Sequence, residues 1–506
     1  MAAQPPLQLT GRDLTIADVV SVARGGRPVV VEAAARERMA VSRAVIERVV
    51  ASGDTVYGVT TGFGDLADVR ISPEQTATLQ RNLVRSHSAG VGEPLPTDVV
   101  RAMLLLRANA LAIGLSGIRP EVVDLLVALL NAAVHPVIPC RGSVGASGDL
   151  APLAHLALVV IGEGEAEAGG RIVPGGEALA AAGLEPMELL AKEGLALLNG
   201  TQLMTAIGAL ALTDAGILVR TADVTGAMSL EAMLGTASAF DDALISARPH
   251  RGQLTSAARL RELLADSEIG DSHRSSPHKV QDPYSIRCMP QVHGAVADAL
   301  APLDDAVSVE LNAATDNPLV FPDGRVVSGG NFHGEPLALA LDHARLALTA
   351  LATISERRTA RILDSRLSGL PAFLADDPGI ESGLMLAQYT AAAAVNELKT
   401  TAHPAAADTI PTSANQEDHV SMGATSALLL RDAIDRTATV LAVEALCAAR
   451  GLDLRYPHAP GRGVRAAVAV VRTVVPPLDG DRPPSPDITA LTEAIRAGRL
   501  AAVASA

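Results

Sequence analysis

The sequence predicts a mainly α-helical fold: a long central helix bundle with a smaller N-terminal α-rich region that carries a glycine-rich loop. Three observations predict it. Hydrophobic residues make up 48% of the 506, yet aromatics are only 2% and Trp is absent, so the apolar material is chiefly Ala, Leu and Val, which suits close-packed helices. Apolar residues recur at helical spacing along most of the chain. Finally, Glu335 to Arg361 runs without an interior Gly or Pro after Pro336, longer than an ordinary surface helix and typical of a bundle.

Taken in order, Val29–Val31 is a β-branched run and reads as a short strand. Helices are expected over 97–114 and 120–133. Arg171–Val173 is a second short strand, and helices follow over 204–236 and 296–314. Leu319–Val327 reads as a small hairpin turning at Pro322-Asp323-Gly324. Helices over 335–363, 380–402 and 421–450 complete the bundle. Polar loops fall at Ser267–Asp282 and, Pro-rich, at Asp481–Pro486. No linker or repeat divides the chain, so residues 1–506 are read as one unit. Its N-terminal region covers about 1–200, and the bundle with a C-terminal helical region covers 201–506. No apolar run is expected to reach membrane-spanning length, since Leu203–Val219 is interrupted by Thr213 and Asp214.

Composition excludes several functions. A net charge of −15 argues against nucleic acid or an anionic membrane as partner. Cys140, Cys288 and Cys447 are odd in number and far apart, which speaks against a disulfide framework or zinc site and for a reducing cytoplasm. Met1 to Arg12 lacks a signal pattern. The lysines are Lys192, Lys279 and Lys399 against 38 Arg, and none sits in a pyridoxal motif, so pyridoxal phosphate is not expected. Gly162-Glu163-Gly164 lacks the rest of a phosphate loop, and no His-Glu-x-x-His helix occurs, so no metal is expected either.

The loop Gly142 to Asp149 carries the most chemistry. The amide nitrogen of Gly148 can attack the carbonyl carbon of Ala146, closing a five-membered ring around Ser147. Loss of water from that ring and from the Ser147 side chain leaves a methylidene-imidazolone, an electrophilic alkene. Closure needs a backbone approach free of side chains, which the glycines at 142, 145 and 148 permit. Asp149 is expected to N-cap the helix opening at Leu150-Ala151-Pro152, whose positive end then favours electron flow onto the electrophile. An Ala-Ser-Gly triplet also arises by chance in an alanine-rich chain, so the other loops decide.

Each of those loops has a bland reading. Tyr57, in the glycine-rich run Val56 to Gly64, can be a structural tyrosine. His87, in Asn82 to Gly90, can be an ordinary core histidine. Asn199, closing Glu193 to Thr201, can be a helix cap. Gln281 to Arg287 crowds an amide, the phenol of Tyr284 and the guanidinium of Arg287 into one turn, and an Arg suits a carboxylate held by two bonds. Asn331, Phe332 and His333 follow Gly329-Gly330. Ser413 to Met422, with Gln416 and Glu417, can be a capping box with solvated acids. Six such loops in one chain are hard to dismiss together.

With these segments in view, the chain resembles the aromatic amino acid lyases, from about residue 15 to about 490. The most specific markers are Gly145 to Leu153, Lys192 to Gln202, Val280 to Arg287, Gly329 to Pro336 and Ile410 to Met422. The resemblance implies a single lyase unit and a homotetramer whose active sites draw on several subunits. It also implies a 4-methylidene-imidazol-5-one cofactor formed from Ala146, Ser147 and Gly148, with Asp149 and Asn199 aiding cyclisation. Tyr57 would act in proton transfer at the substrate β-carbon and Tyr284 would orient and deprotonate the reacting groups. Arg287 would bind the carboxylate, supported by Asn199 and Gln281. Phe332 would pack against the cofactor and Asn331 would hydrogen-bond near it. His87 and Glu417, with Gln416, would recognise an imidazole, which makes histidine the expected substrate and trans-urocanate and ammonia the products.

Substrate choice turns on Glu417. A carboxylate accepts strongly from imidazole N–H groups, whereas facing a phenyl ring it is an unpaired charge costing several kcal/mol. Tyrosine and phenylalanine lyases and 2,3-aminomutases, similar to this chain, typically carry Asn-Gln at positions 416 and 417 and form the alternative reading. A catalytically silent helical oligomer is the remote one. Met289 and His293, just beyond Arg287, read as ordinary variation.

Overall fold

The computed structural model describes residues 4–62, 71–72, 75–145, 148–274 and 280–505. The fold is mainly α, and the named strands are only two to four residues long. The chain forms two compact units: Met1–Leu210, Leu303–Asp342 and Pro404–Leu428 make the first, and Ala211–Pro302, His343–His403 and Leu429–Ala506 the second.

In the first unit, strand Leu7–Leu9 pairs in parallel with Val29–Val31. Helix Thr97–Ala112 is buried along most of its length and packs on helices Ile16–Ala23 and Pro120–Asn131. Each leucine or valine removed from water there contributes about 1.5–3 kcal/mol. Helix Pro120–Asn131 opens on a proline whose missing N–H would have had no partner in the first turn. Strands His135–Pro136, Glu165–Ala168 and Arg171–Pro174 form an antiparallel sheet. Ala168 faces Arg171 across Gly169-Gly170, both at positive φ, which is the two-residue turn that matches strand twist. The expected hairpin is present as Leu319–Val320 paired with Val326–Val327.

In the second unit the bundle is held by a polar seam. Thr225 and Ser229 from helix Gln202–Ala232, and Ser355 and Arg358 from helix Glu335–Leu363, all donate to Glu444 of helix Gly423–Asp453. Helices Arg251–Leu263 and Met289–Ala299 lie backbone to backbone, for a side chain on Gly252 would overlap the carbonyl of Gly294.

Several expectations are corrected. The helix expected over 296–314 is two, Met289–Ala299 and Ala301–Glu310. Pro302 has no N–H to give and its ring crowds the preceding turn, so one continuous helix cannot form. The helix expected from 380 starts at Met385, after Gly379 and Gly383 at positive φ. The polar segment from Ser267 contains the short helix Glu268–Ser272, and residues 275–279 lie outside the described residues. The Pro-rich stretch at 481–486 runs into helix Ser485–Arg496. Helices Gln202–Ala232 and Glu335–Leu363 are, against expectation, long and apolar enough to cross a membrane. Alanines flanking Thr213 and Asp214 offset those polar residues. The most apolar windows of the two helices are 72% and 67% buried within the protein, the pattern of core helices.

Candidate active site

Ala146 and Ser147, the centre of the expected cofactor, lie outside the described residues. Their neighbours are well defined. Gly145 and Gly148 pair as an isolated bridge, and Gly148 also pairs with Gly200. Both have positive φ, 76° and 74°, and a side chain on Gly148 would overlap the Gly200 carbonyl, one on Gly145 the Ser421 hydroxyl. The expectation that these glycines permit a backbone approach free of side chains thus has a steric basis at 145 and 148.

Asp149 departs from expectation. It occupies the N-cap position of helix Leu150–Val160 but makes no cap hydrogen bond there. Its Oδ2 instead accepts from the backbone N–H groups of Leu203 (2.9 Å) and Met204 (3.1 Å), at the start of helix Gln202–Ala232, and its Oδ1 from Ser143 Oγ at 3.2 Å. Pro152, third in its own helix, has no N–H for an N-cap to bind, whereas the amides of the second helix are buried and need a partner. Asp149 is therefore a cap between helices, tying the glycine loop to the start of a core helix.

Burial pushes the Asp149 carboxyl up to about 7. A carboxyl raised in the fold binds its proton longer folded than unfolded, so its contribution falls as pH rises from about 4 to about 7, by about 4 kcal/mol in all. Asp149→Asn is expected to flatten the decline in urea-unfolding midpoint between pH 5 and 8 relative to the parent. Parallel declines in the two proteins would refute the buried-carboxyl account.

Asn199 closes helix Glu193–Leu198, as its bland reading has it, but its side chain does more. Its Nδ2 donates to Asp316 Oδ1 (3.3 Å) and the Asn317 carbonyl (3.1 Å). Asp316 is in turn held by Lys192 Nζ at 2.6 Å, in a pair almost wholly removed from water. Arg107, fully buried, donates to the Asn199 carbonyl and to Gln202 Oε1, each at 2.8 Å. Burial lowers this guanidinium to about 10. The Asn199 Oδ1 is buried without a partner among the described residues, an acceptor left for a ligand or the neighbouring loop. The sequence reading missed Lys192, Asp316 and Arg107. The one available signal was a lysine beside the Asn199 segment in an arginine-rich chain.

His87 ends helix Thr76–His87, with Nδ1 3.1 Å from Ser86 Oγ. Burial lowers its pKa, while the Glu417 charge acts to raise it, so these two expected imidazole contacts lie within electrostatic reach of each other. Glu417 is half-buried and accepts from Thr412 Oγ1 at 2.6 Å; Gln416 is exposed. This segment is not the capping box of the bland reading. Ser413, Ala414 and Asn415 all have positive φ, and the next helix begins only at Gly423. Such strain persists where surrounding contacts hold it, a pattern common at functional sites.

Tyr57 is half-buried in the turn after helix Ala33–Ser52; Phe63 and Gly64 of its loop lie outside the described residues. Asn331 is exposed, with a long contact from its Nδ2 to the Ala314 carbonyl (3.5 Å), and Phe332 is half-buried. His333, Glu335 and His419 bring potential ligand atoms within 4.8 Å of one another. Both His333 nitrogens are already engaged, Nε2 with the His419 carbonyl and Nδ1 with the Glu335 amide.

The second unit carries the remaining candidates. Tyr284 and Arg287 bound a one-turn helix, with the guanidinium carbon 4.6 Å from the phenol ring centroid, a cation–π contact. The Arg287 Nε is buried without a hydrogen-bond partner among the described residues, while Tyr284 is 71% exposed and Gln281 is exposed. His293, read as ordinary variation, has a defined place in the fold. It is wholly buried, with Nδ1 2.9 Å from Asp223, and nearby Met289 Sδ fills the space a side chain at Gly226 would need.

The chain is similar to known proteins along nearly its whole length. The sequence pattern of the family described as aromatic amino acid lyase matches residues 14–473. The chain is 54% identical to a histidine ammonia-lyase of Deinococcus radiodurans over 496 residues, covering 98% of this chain and 94% of that one. It is also 54% identical to one of Sorangium cellulosum over 504 residues, covering 98% of each. Among solved structures, histidine ammonia-lyase from Trypanosoma cruzi superposes with a TM-score of 0.91 at 43% identity, covering 99% of this chain and 95% of that one. Tyrosine aminomutase from Streptomyces globisporus superposes with a TM-score of 0.93 at 38% identity, covering 99% and 98%. With its pattern matched along nearly the whole chain and its relatives aligned end to end, the chain belongs to the aromatic amino acid lyase family.

Proposed function

We propose that this protein eliminates ammonia from L-histidine to give trans-urocanate, acting as one lyase unit over residues 1–506. The observation that carries the reading is the half-buried Glu417 carboxylate within electrostatic reach of His87, in a chain 54% identical to histidine ammonia-lyases. In the reaction the Cα–N bond breaks, the β-carbon gives up a proton, and the electron pair of that C–H bond forms the alkene.

The surroundings of Ala146-Ser147-Gly148 fit a 4-methylidene-imidazol-5-one, for Gly145 and Gly148 have no room for side chains and the Asn199 Oδ1 is buried without a partner among the described residues. Asp149 and Asn199 are assigned to the formation of that group, and Phe332 and Asn331 to its surroundings. When formed, it supplies an electrophile that makes the substrate nitrogen a better leaving group.

The other roles belong to side chains. Arg287 holds the substrate carboxylate, supported by Asn199 and Gln281, which fixes the β-carbon for proton removal. Tyr57 moves the β-proton and Tyr284 orients the reacting groups, as general acid–base chemistry requires. His87, Gln416 and Glu417 recognise the imidazole. Active sites shared among the subunits of a homotetramer and a cytoplasmic setting complete the reading; the three free cysteines accord with the latter.

The likeness to tyrosine aminomutase supports a second reading, turnover of tyrosine or phenylalanine. Glu417 weighs against it, because a site built to accept N–H groups rejects a ring that offers none. The test is to supply the purified protein with L-histidine, L-tyrosine and L-phenylalanine separately and follow the ultraviolet absorbance of the conjugated acid. Urocanate from histidine alone is expected. Product from tyrosine or phenylalanine alone, or a β-amino acid, would overturn the assignment.

A further inference from the structure

The second unit contains a buried chain of charged groups that the reaction as described does not use. Arg358 is fully buried, and its Nε and Nη2 donate to Glu444, the latter at 3.0 Å. Glu444 also accepts from Thr225 Oγ1 (2.9 Å), Ser229 Oγ (2.7 Å) and Ser355 Oγ (2.6 Å). Burial alone would raise this carboxyl; Arg358 and the hydroxyls outweigh it and hold it below its usual value. With Glu444 so occupied, two guanidinium nitrogens of Arg358 are committed.

The third, Nη1, lies 3.2 Å from His293 Nε2 and 3.4 Å from the carbonyl oxygen of Ser285. His293 Nδ1 lies 2.9 Å from Asp223, which also accepts from Ser256 Oγ (2.6 Å) and Arg259 Nη1 (3.4 Å). The tautomer follows from these partners. The Asp223 carboxylate only accepts, so the imidazole proton sits on Nδ1 and Nε2 offers its lone pair to Arg358. Burial lowers the imidazole pKa and keeps the ring neutral, as that geometry demands.

Ser285 lies inside the one-turn helix Tyr284–Arg287, and a single turn cannot hold its own geometry in isolation. Helix Met289–Ala299 follows at once and carries His293. That helix is pinned by the Gly252–Gly294 backbone contact and by Met289 against Gly226. The turn is thus held before Arg287 through the Ser285 carbonyl and after it through His293. Among the described residues the buried Arg287 Nε has no hydrogen-bond partner and the guanidinium lies over the Tyr284 ring, so the course of this backbone does much to set its aim.

We propose that Arg358, His293 and Asp223 are positioning residues that fix the Tyr284–Arg287 turn and so aim Arg287 at the substrate carboxylate. The inference rests on the reading of Arg287 given above. Arg358→Lys is the sharpest probe, since lysine keeps the charge against Glu444 but cannot reach His293 and Ser285 together. His293→Leu removes the same link from the other side, should the lysine variant fail to fold. For either variant, the KM for L-histidine and the inhibition constant of trans-urocanate are expected to rise about tenfold or more. Inhibition by histamine, which has the imidazole but no carboxylate, should change by less than about twofold. The intact mass should still fall short by two waters. His293→Gln, which can donate to Asp223 and accept from Arg358, should recover most of the loss.

Equal weakening of carboxylate-bearing and carboxylate-free ligands, or no weakening, would overturn the proposal. Arg287→Gln in the parent protein separates the two readings. If it discriminates between urocanate and histamine while Arg358→Lys does not, only the network falls. If Arg287→Gln itself fails to discriminate, the carboxylate reading falls and this inference with it.

Discussion

Ser147→Ala is expected to leave the purified protein at its full unmodified mass and without measurable turnover of L-histidine. The alkene of the proposed electrophile is made from the Ser147 side chain by loss of its hydroxyl, and alanine has no leaving group to lose. Gly145 and Gly148, in positive φ and pressed against Ser421 and Gly200, do not depend on that hydroxyl, so the surroundings should persist. The loss is therefore chemical, not structural. It should exceed about 10³-fold in kcat, about 4 kcal/mol of barrier, because no other group here makes the amine a better leaving group. Intact mass and turnover, read on one sample with thermal unfolding as the control, check it. Retained turnover would overturn the cofactor assignment.

Glu417→Gln should produce the second-largest effect, a fall of about 10–10² in kcat/KM for histidine. A hydrogen bond to a charged acceptor contributes about 1.5–3 kcal/mol, and a neutral amide gives up much of that. Glutamine is nearly the same size and can still accept from Thr412 Oγ1, so the strained Ser413–Asn415 stretch should keep its shape. With the unpaired charge gone, tyrosine or phenylalanine should enter more readily. Steady-state kinetics on the three amino acids decides it, and undiminished histidine turnover would show that the imidazole is recognised elsewhere.

Much of the fold was legible because its signals are local. The long helix Glu335–Leu363 follows from an uninterrupted helical pattern, and the hairpin at 319–327 from a Pro-Asp-Gly turn between apolar runs. Where local signals compete, the reading slipped. Pro302 split one expected helix in two, and the charged helix Ala33–Ser52 lacks a clear apolar stripe and went unread. The candidate loops were legible through their unusual residue types, yet the groups that hold them were not. Lys192, Asp316, His293 and Arg358 gain meaning only from partners 65 to 124 positions away.

The sequence by itself determined the helical class, the glycine loop and the polar segments that mark the family, because each depends on residue type and near neighbours. Tertiary structure alone decided that Asp149 caps a helix other than its own, that Lys192 and Asp316 hold the Asn199 amide, and that Arg358 and His293 brace the Arg287 turn. The physical reason is the same in each case. A polar group withdrawn from water must find its partner in the folded chain, and chain separation carries no record of which partner that is.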